Sequence, residues 1–360
     1  FGRNLANTVA DGIYHMGFEI VDGRFLNEDG DANVNVLDVA TWLNYFYNDA
    51  TIVLGDGCDN QLNGDERDEQ INAGGGADVV AAGAGDDLVY GGWGDDSIAG
   101  DAGDDLIYGG GGNDTLAGGD GNDQFRVTGS KGDGFEGYDS YQGGAGQDAI
   151  VAYGGDVDIG MTAFGPDNGI ETIDGSGASG QVRILGDWHD NVLDFSGVTL
   201  SGPVTIDGGG GADTIIGSAG DDTISGGGWG DQTMDGGAGN DTLIGGTGND
   251  TLAGGEGDDR FLVTGAKGDG FEGYDSYDGG AGRDRIVASG SQVDIGMTAF
   301  GPANGIDIID LSAVTGQTRI IGDWNDNLLD FSGVSFEGQV IIDGGGGNDT
   351  IIGSAGDDII

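Results

Sequence analysis

Six copies of a nine-residue unit run without a break from Ala73 to Arg126: AGGGADVVA, AGAGDDLVY, GGWGDDSIA, GDAGDDLIY, GGGGNDTLA and GGDGNDQFR. A fixed short period constrains the fold more than any local propensity, because every unit must make the same contacts as the next. A second run fills Gly208 to Leu262, where one extra Gly near Gly226 shifts the count. Single copies begin at Gly143 and Gly279, and two more at Gly344 and Gly353.

A longer period contains the short one. KGDGFEGYDSY at Lys131 returns at Lys267, and VDIGMTAFGP at Val157 returns at Val293, an offset of 136 residues. The phrase GDxxDNxL begins at Gly55, Gly186 and Gly322. These landmarks divide the chain into an N-terminal segment (1–50), two units (51–185 and 186–321) and the start of a third (322–360). Because residue 1 is Phe and the last residues stop inside a repeat, the expectation is a segment of a longer protein.

Each place in the nonad has a physical role. Gly-Gly-x-Gly tolerates positive φ and close backbone approach, so the first six residues are expected to form a tight turn. The last three place one apolar side chain inward and two outward, a short strand. The inward set is Val80, Val89, Ile98, Ile107, Leu116 and Phe125, then Ile215, Ile224, Met234, Leu243, Leu252 and Phe261. Two nonads close one coil, and coils stacked at strand spacing pair as parallel sheets on two sides. At about 4.8 Å per coil, about 300 residues would make a rod of roughly 80 Å.

Charge then selects the ligand. There are 64 acidic and 11 basic residues, a formal charge of −53. Nucleic acid and anionic lipid are excluded as partners, since both are bound through Lys and Arg. The 83 Gly with only 3 Pro exclude collagen, the single Cys58 excludes a disulfide scaffold, and no apolar run is long enough to span a membrane. The sixth place of the nonad holds Asp78, Asp87, Asp96, Asp105, Asp114 and Asp123, then Asp148, Asp213, Asp222, Asp241, Asp250, Asp259, Asp284, Asp349 and Asp358, with Gln232 substituting once. Stacked carboxylates beside Gly carbonyls form hard-oxygen cavities suited to Ca²⁺ rather than Mg²⁺ or Zn²⁺. Multiple Ca²⁺ ions are therefore the expected cofactors, and folding is expected to depend on them.

The pattern GGxGxDxUx resembles the RTX (repeats-in-toxin, hemolysin-type calcium-binding) family. The resemblance implies an all-β, right-handed parallel β-roll or β-solenoid with Ca²⁺ in its turns. It further implies Asp and Gly carbonyl ligands, secretion in an unfolded low-calcium state, and folding outside the cell.

Between the nonad runs, Ile170–Ile206 and Ile306–Ile342 carry apolar clusters separated by Gly and Asp-Asn turns, and predict larger rungs on the same axis. The repeated trio Phe135, Tyr138 and Tyr141, with Phe271, Tyr274 and Tyr277, predicts loops packed over the solenoid edge, with a sugar-stacking or protein-contact surface as the alternative.

The first fifty residues differ. NEDGDANVNVLD fits a twelve-residue calcium loop with Asn27, Asp29 and Asp31 at places one, three and five, Asn33 at seven, Asn35 at nine and Asp38 at twelve. Val39, Trp42, Leu43 and Phe46 follow at helical spacing. The segment resembles half of a dockerin-type EF-hand, although Ala32 replaces the usual Gly and no second loop follows. The alternative is a capped helix after an acidic turn.

No catalytic signature stands out. HExxH and GxSxG are absent, and Cys58, His189 and Asn325 fall at one equivalent place in three phrases, so that place accepts thiol, imidazole and amide. His15 stands alone in an apolar stretch, and Trp93 and Trp229 sit at a variable place that predicts surface contacts. The leading expectation is a secreted, Ca²⁺-stabilised solenoid: an extracellular stalk or spacer of a surface protein, adhesin or filament, with self-association or cell-surface attachment. The alternative is the non-catalytic C-terminal region of a secreted protease, lipase or alginate epimerase. Ice or glycan binding ranks third, since the seventh places lack a regular Thr ladder.

Overall fold

A computed structural model describes residues 19–21, 24–26, 51–131, 134–265, 271–356 and 358–360. The proposed calcium loop at Asn27–Asp38, the helix after it and His15 lie outside the described residues. Glu19–Val21 and Arg24–Leu26 pair antiparallel. Every other strand pair is parallel and joins one coil to the next, in sheets of five, eight, nine, nine and three strands. The architecture is a parallel β-solenoid of about 13 turns.

The register follows the repeat. Val79–Ala84 pairs with Ser97–Ala102, which pairs with Thr115–Asp120, so Val80, Ile98 and Leu116 stack at 18-residue steps. On the other face Ile71, Val89, Ile107 and Phe125 stack in the same way. All twelve inward apolar residues of the two nonad runs are buried. They form one continuous core running the length of the column.

Strand and turn divide differently from the sequence expectation. Strands such as Leu88–Trp93 and Thr115–Asp120 have six residues and extend into the first three places of the next nonad. The first place therefore points inward, as Ala73 and Ala82 show by being fully buried. Within the nonads, positive φ is confined to the second and fourth places, as at Gly92 (112°) and Gly94 (122°). At a second place Asp101 adopts φ 75°, the only non-Gly residue with positive φ among the described residues.

The segments between the runs are indeed larger rungs on the same axis. Asp158 pairs with Arg183, and Arg183 with Thr205, steps of 25 and 22 residues. Pro166–Asn168 and Pro302–Asn304 form single 3₁₀ turns. Phe164 stacks on Phe195 at 5.1 Å, and Phe300 on Phe331 at 5.0 Å. Because these rungs use more chain per coil, 13 turns at about 4.8 Å give roughly 60 Å, shorter than a uniform 18-residue coil predicts.

Candidate calcium sites

Asp96 shows how a turn is built. Its carboxylate Oδ1 accepts the backbone N–H of Asp78 at 2.8 Å, while its own N–H donates to Oδ1 of Asp114 at 2.8 Å. The same link repeats through each edge of the column. On one edge it runs Asn60, Asp78, Asp96, Asp114, Asp139. On the other it runs Glu69, Asp87, Asp105, Asp123, Asp148, Glu171. The second unit repeats it through Asn191, Asp213, Gln232, Asp250 and Asp275, and through Asp222, Asp241, Asp259, Asp284 and Asp307.

One oxygen of each carboxylate is thereby used; the other is not. Oδ2 of Asp78, Asp87, Asp96, Asp105, Asp114, Asp123, Asp148, Asp213, Asp241, Asp250, Asp259 and Asp284 is buried and accepts no hydrogen bond. A buried polar atom without a partner costs roughly 1–3 kcal/mol, more when charged, so twelve in one chain point to a missing partner. The glycines show where it would sit. A Cβ on Gly91 would meet Oδ2 of Asp96 and the carbonyl oxygen of Gly109 in the next coil. Gly100, Gly208, Gly236 and Gly279 make the same cradle with Asp105, Asp213, Asp241 and Asp284. At these five turns the first-place Gly leaves space that a Cβ would fill, although Ala stands at that place before Asp78 and Asp87, whereas the second and fourth places take positive φ.

Electrostatics gives the same result. Desolvation pushes Asp105 and Asp241 up to about 7, and Asp87, Asp96, Asp114, Asp123, Asp213, Asp250 and Asp284 up to about 6. Carboxylates of neighbouring turns push in the same direction. A cation bound to Oδ2 would remove both penalties. The donors are hard oxygens, carboxylate and carbonyl, drawn from adjacent turns, and they fit Ca²⁺. Among the described residues no three His, Cys, Asp or Glu side chains gather as one metal cluster, since each turn contributes a single inward carboxylate and the remaining donors are backbone.

Where the sixth place is not a free acid, the protein supplies its own partner. Gln232 keeps the ladder through Oε1, which accepts the N–H of Asp213 at 2.7 Å. Its Nε2 donates to the carbonyl of Gly211 at 2.9 Å, so the amide carries a donor of its own where the aspartates leave an oxygen unpartnered. Asn191 and Asn327 donate in the same way to the carbonyls of Thr162 and Thr298. Asp222 is satisfied by the N–H and hydroxyl of Ser218, and Asp358 accepts from Ser354. Asp349 accepts the N–H of Asn327 near the end of the column.

Several working residues carry no nonad signature. Asp139 and Asp275 continue the ladder, and each accepts the hydroxyl of a buried tyrosine, Tyr141 and Tyr277, at 3.1 and 3.0 Å. Desolvation pushes both acids up to about 7. The third ring of each aromatic trio is therefore a core residue, packed edge-on against Phe125 or Phe261, while Phe135 and Tyr138 form the pair at the edge. The fifth place makes a second ladder. Oδ1 of Asp86 accepts the N–H of Asp104, and Oδ1 of Asp104 accepts that of Asn122, so these bonds run opposite to those of the sixth place. Cys58 and the ring of His189 are exposed, the latter bonded to Asp187 at 2.7 Å.

The model of the RTX calcium-binding nonapeptide repeat, four copies, matches residues 63–98, 90–125, 205–228, 226–261 and 337–360. The matched stretches are RTX calcium-binding nonapeptide repeats. The RTX repeats bind multiple Ca²⁺ ions, and the matched stretches carry ten of the twelve unpartnered aspartates. No curated protein matches the chain. No helix among the described residues is long and apolar enough to cross a membrane.

Proposed function

We propose that this RTX solenoid is an extracellular spacer, a rod that folds when Ca²⁺ fills the cavities at the twelve unpartnered aspartates and holds apart the segments at its ends. The observation that carries this reading is continuity. Coil-to-coil pairing passes from one repeat unit to the next without a gap, as Gly160 pairs with Leu185 and Gly186 donates to Asp207. We take the units as 51–185, 186–321 and 322–360, joined into one column. RTX repeats are typical of secreted proteins, and extracellular Ca²⁺ at millimolar levels would populate such sites. Gln232, Asp222 and Asp358 are excluded from the proposed ligands, because amide or serine already occupies those turns.

Small-angle scattering with and without Ca²⁺ tests the reading. An elongated particle in millimolar Ca²⁺ that collapses or expands on chelation is the expected result. A compact globule in Ca²⁺ overturns it. The competing role, a non-catalytic region following a secreted hydrolase or lyase, shares the calcium chemistry. It gains ground if the rod stabilises a catalytic partner domain when the two are joined.

A further inference from the structure

Four tryptophans, Trp93, Trp188, Trp229 and Trp324, are exposed, and all lie on one edge of the column. Hydrogen bonds and strand pairs trace that edge coil by coil. From Trp93 it passes through Gly111, Glu136, Gly160 and Leu185 to Trp188, which is four coils. Through Gly210 it reaches Trp229, two coils further. Through Thr247, Glu272 and Gly296 it reaches the coil of Ile321 and Trp324, again four. The opposite edge has Ala84, Ala102, Asp120, Ala145, Ala238 and Ala281 at the equivalent place. Two coils span about 10 Å and four about 19 Å, so the indoles fall on multiples of one spacing.

Beside Trp188 lies an open depression of about 370 Å³, lined by Gly210 and by Gly227 and Gly228, which precede Trp229 in the chain. The indole of Trp229 lies 3.3 Å from where a Cβ on Gly210 would be. Lys131, Arg183, Asp187, Asp207 and Ser225 line the depression. The Nζ of Lys131 is 5.4 Å from the Trp188 ring centroid. Flat apolar faces fringed by donors and acceptors match a sugar ring, which has an apolar C–H face and a hydroxyl rim.

We propose that this edge binds a neutral, extended β-linked polysaccharide. Such a chain presents the same face at every second sugar, a repeat that two coils can match. The charge of −53 disfavours both an acidic glycan and a second copy of the same rod.

The test uses the full chain in millimolar Ca²⁺, with affinity electrophoresis through hydroxyethyl cellulose, glucomannan and, as an acidic control, polygalacturonate. Retardation by a neutral glycan is expected. The double variant Trp188→Ala, Trp229→Ala should weaken it about tenfold or more, the loss expected of about one stacking contact per ring. Trp93→Ala should weaken it less. Circular dichroism and scattering identical to the parent chain establish that the rod is intact. Absence of retardation by either neutral glycan, or retardation unaffected by the double variant, overturns the proposal. So does concentration-dependent association of rods that the same substitutions abolish.

Discussion

Asp105 and Asp158 are both buried carboxylates in one column, yet they are satisfied in opposite ways. Oδ2 of Asp105, in the nonad run, faces no donor. Asp158, in the large rungs, accepts Nε and Nη2 of Arg183 at 2.8 and 2.9 Å and the N–H of Lys131 at 2.6 Å. Asp294 and Arg319 repeat that pair in the second unit. One kind of region borrows its positive charge from solution, and the other carries its own. The rod is therefore an alternation of ion-dependent and ion-independent blocks, and its two responses can be separated.

Chelation should separate them most strongly. With EDTA, amides of 73–126 and 208–262 should lose hydrogen-exchange protection by orders of magnitude, while those of 157–206 and 293–342 retain more. Uniform loss across both kinds of block, or none, breaks the comparison.

Acidification is the next largest effect. Nine nonad aspartates, Asp96 and Asp105 among them, are raised in the folded chain from the usual 3.8 to about 6 or 7, so without Ca²⁺ the folded state holds more protons than the unfolded one. Their protonation supports folding fully below about pH 4, and that support is lost as pH rises through 6 to 7. Circular dichroism of the calcium-free chain should accordingly show more β structure at pH 4 than at pH 7.5. No gain on acidification contradicts the account.

At the level of one side chain, Arg183→Ala leaves Asp158 buried without its partner. Because the Arg side chain is 41% exposed, a loss of about 2 kcal/mol is expected, observed as a lower denaturation midpoint at any calcium level. Asp105→Asn, which keeps Oδ1 for the N–H of Asp87, should instead remove local Ca²⁺ binding, costing about 1–3 kcal/mol only when Ca²⁺ is present, with distant coils unchanged. The smallest effect sharpens the comparison from the other side. Gln232→Asp should add about one Ca²⁺ to the calorimetric stoichiometry, since it exchanges an internal amide donor for another unpartnered oxygen.

The burial of the sixth-place aspartates and of the twelve core residues follows from the period alone, because the contacts between coils repeat with it. Asp139, Glu171 and Asp307 do not, because no nonad surrounds them and their place is fixed only by pairing, such as Leu116 opposite Tyr141. The fifth-place ladder was hidden by chemistry: exposed Asp and Asn in a turn look like a solvated rim, and only the coil spacing shows that each reaches a neighbour's N–H. Gln232 is the instructive exception: the period marks it only as a substitution, and the structure shows both ends of its amide hydrogen-bonded within the ladder.

The opposed directions of the two ladders have a consequence for the column as an assembly. If the rod is divided between any two coils, one rim offers sixth-place N–H donors and fifth-place carboxylate acceptors, and the facing rim offers the converse. Each rim is thus the complement of the other and not of itself. Head-to-tail addition preserves every bond, and head-to-head addition preserves none. Contacts of that kind are heterologous and do not close, so nothing in the coil geometry sets a length: the number of repeats encoded in the chain does.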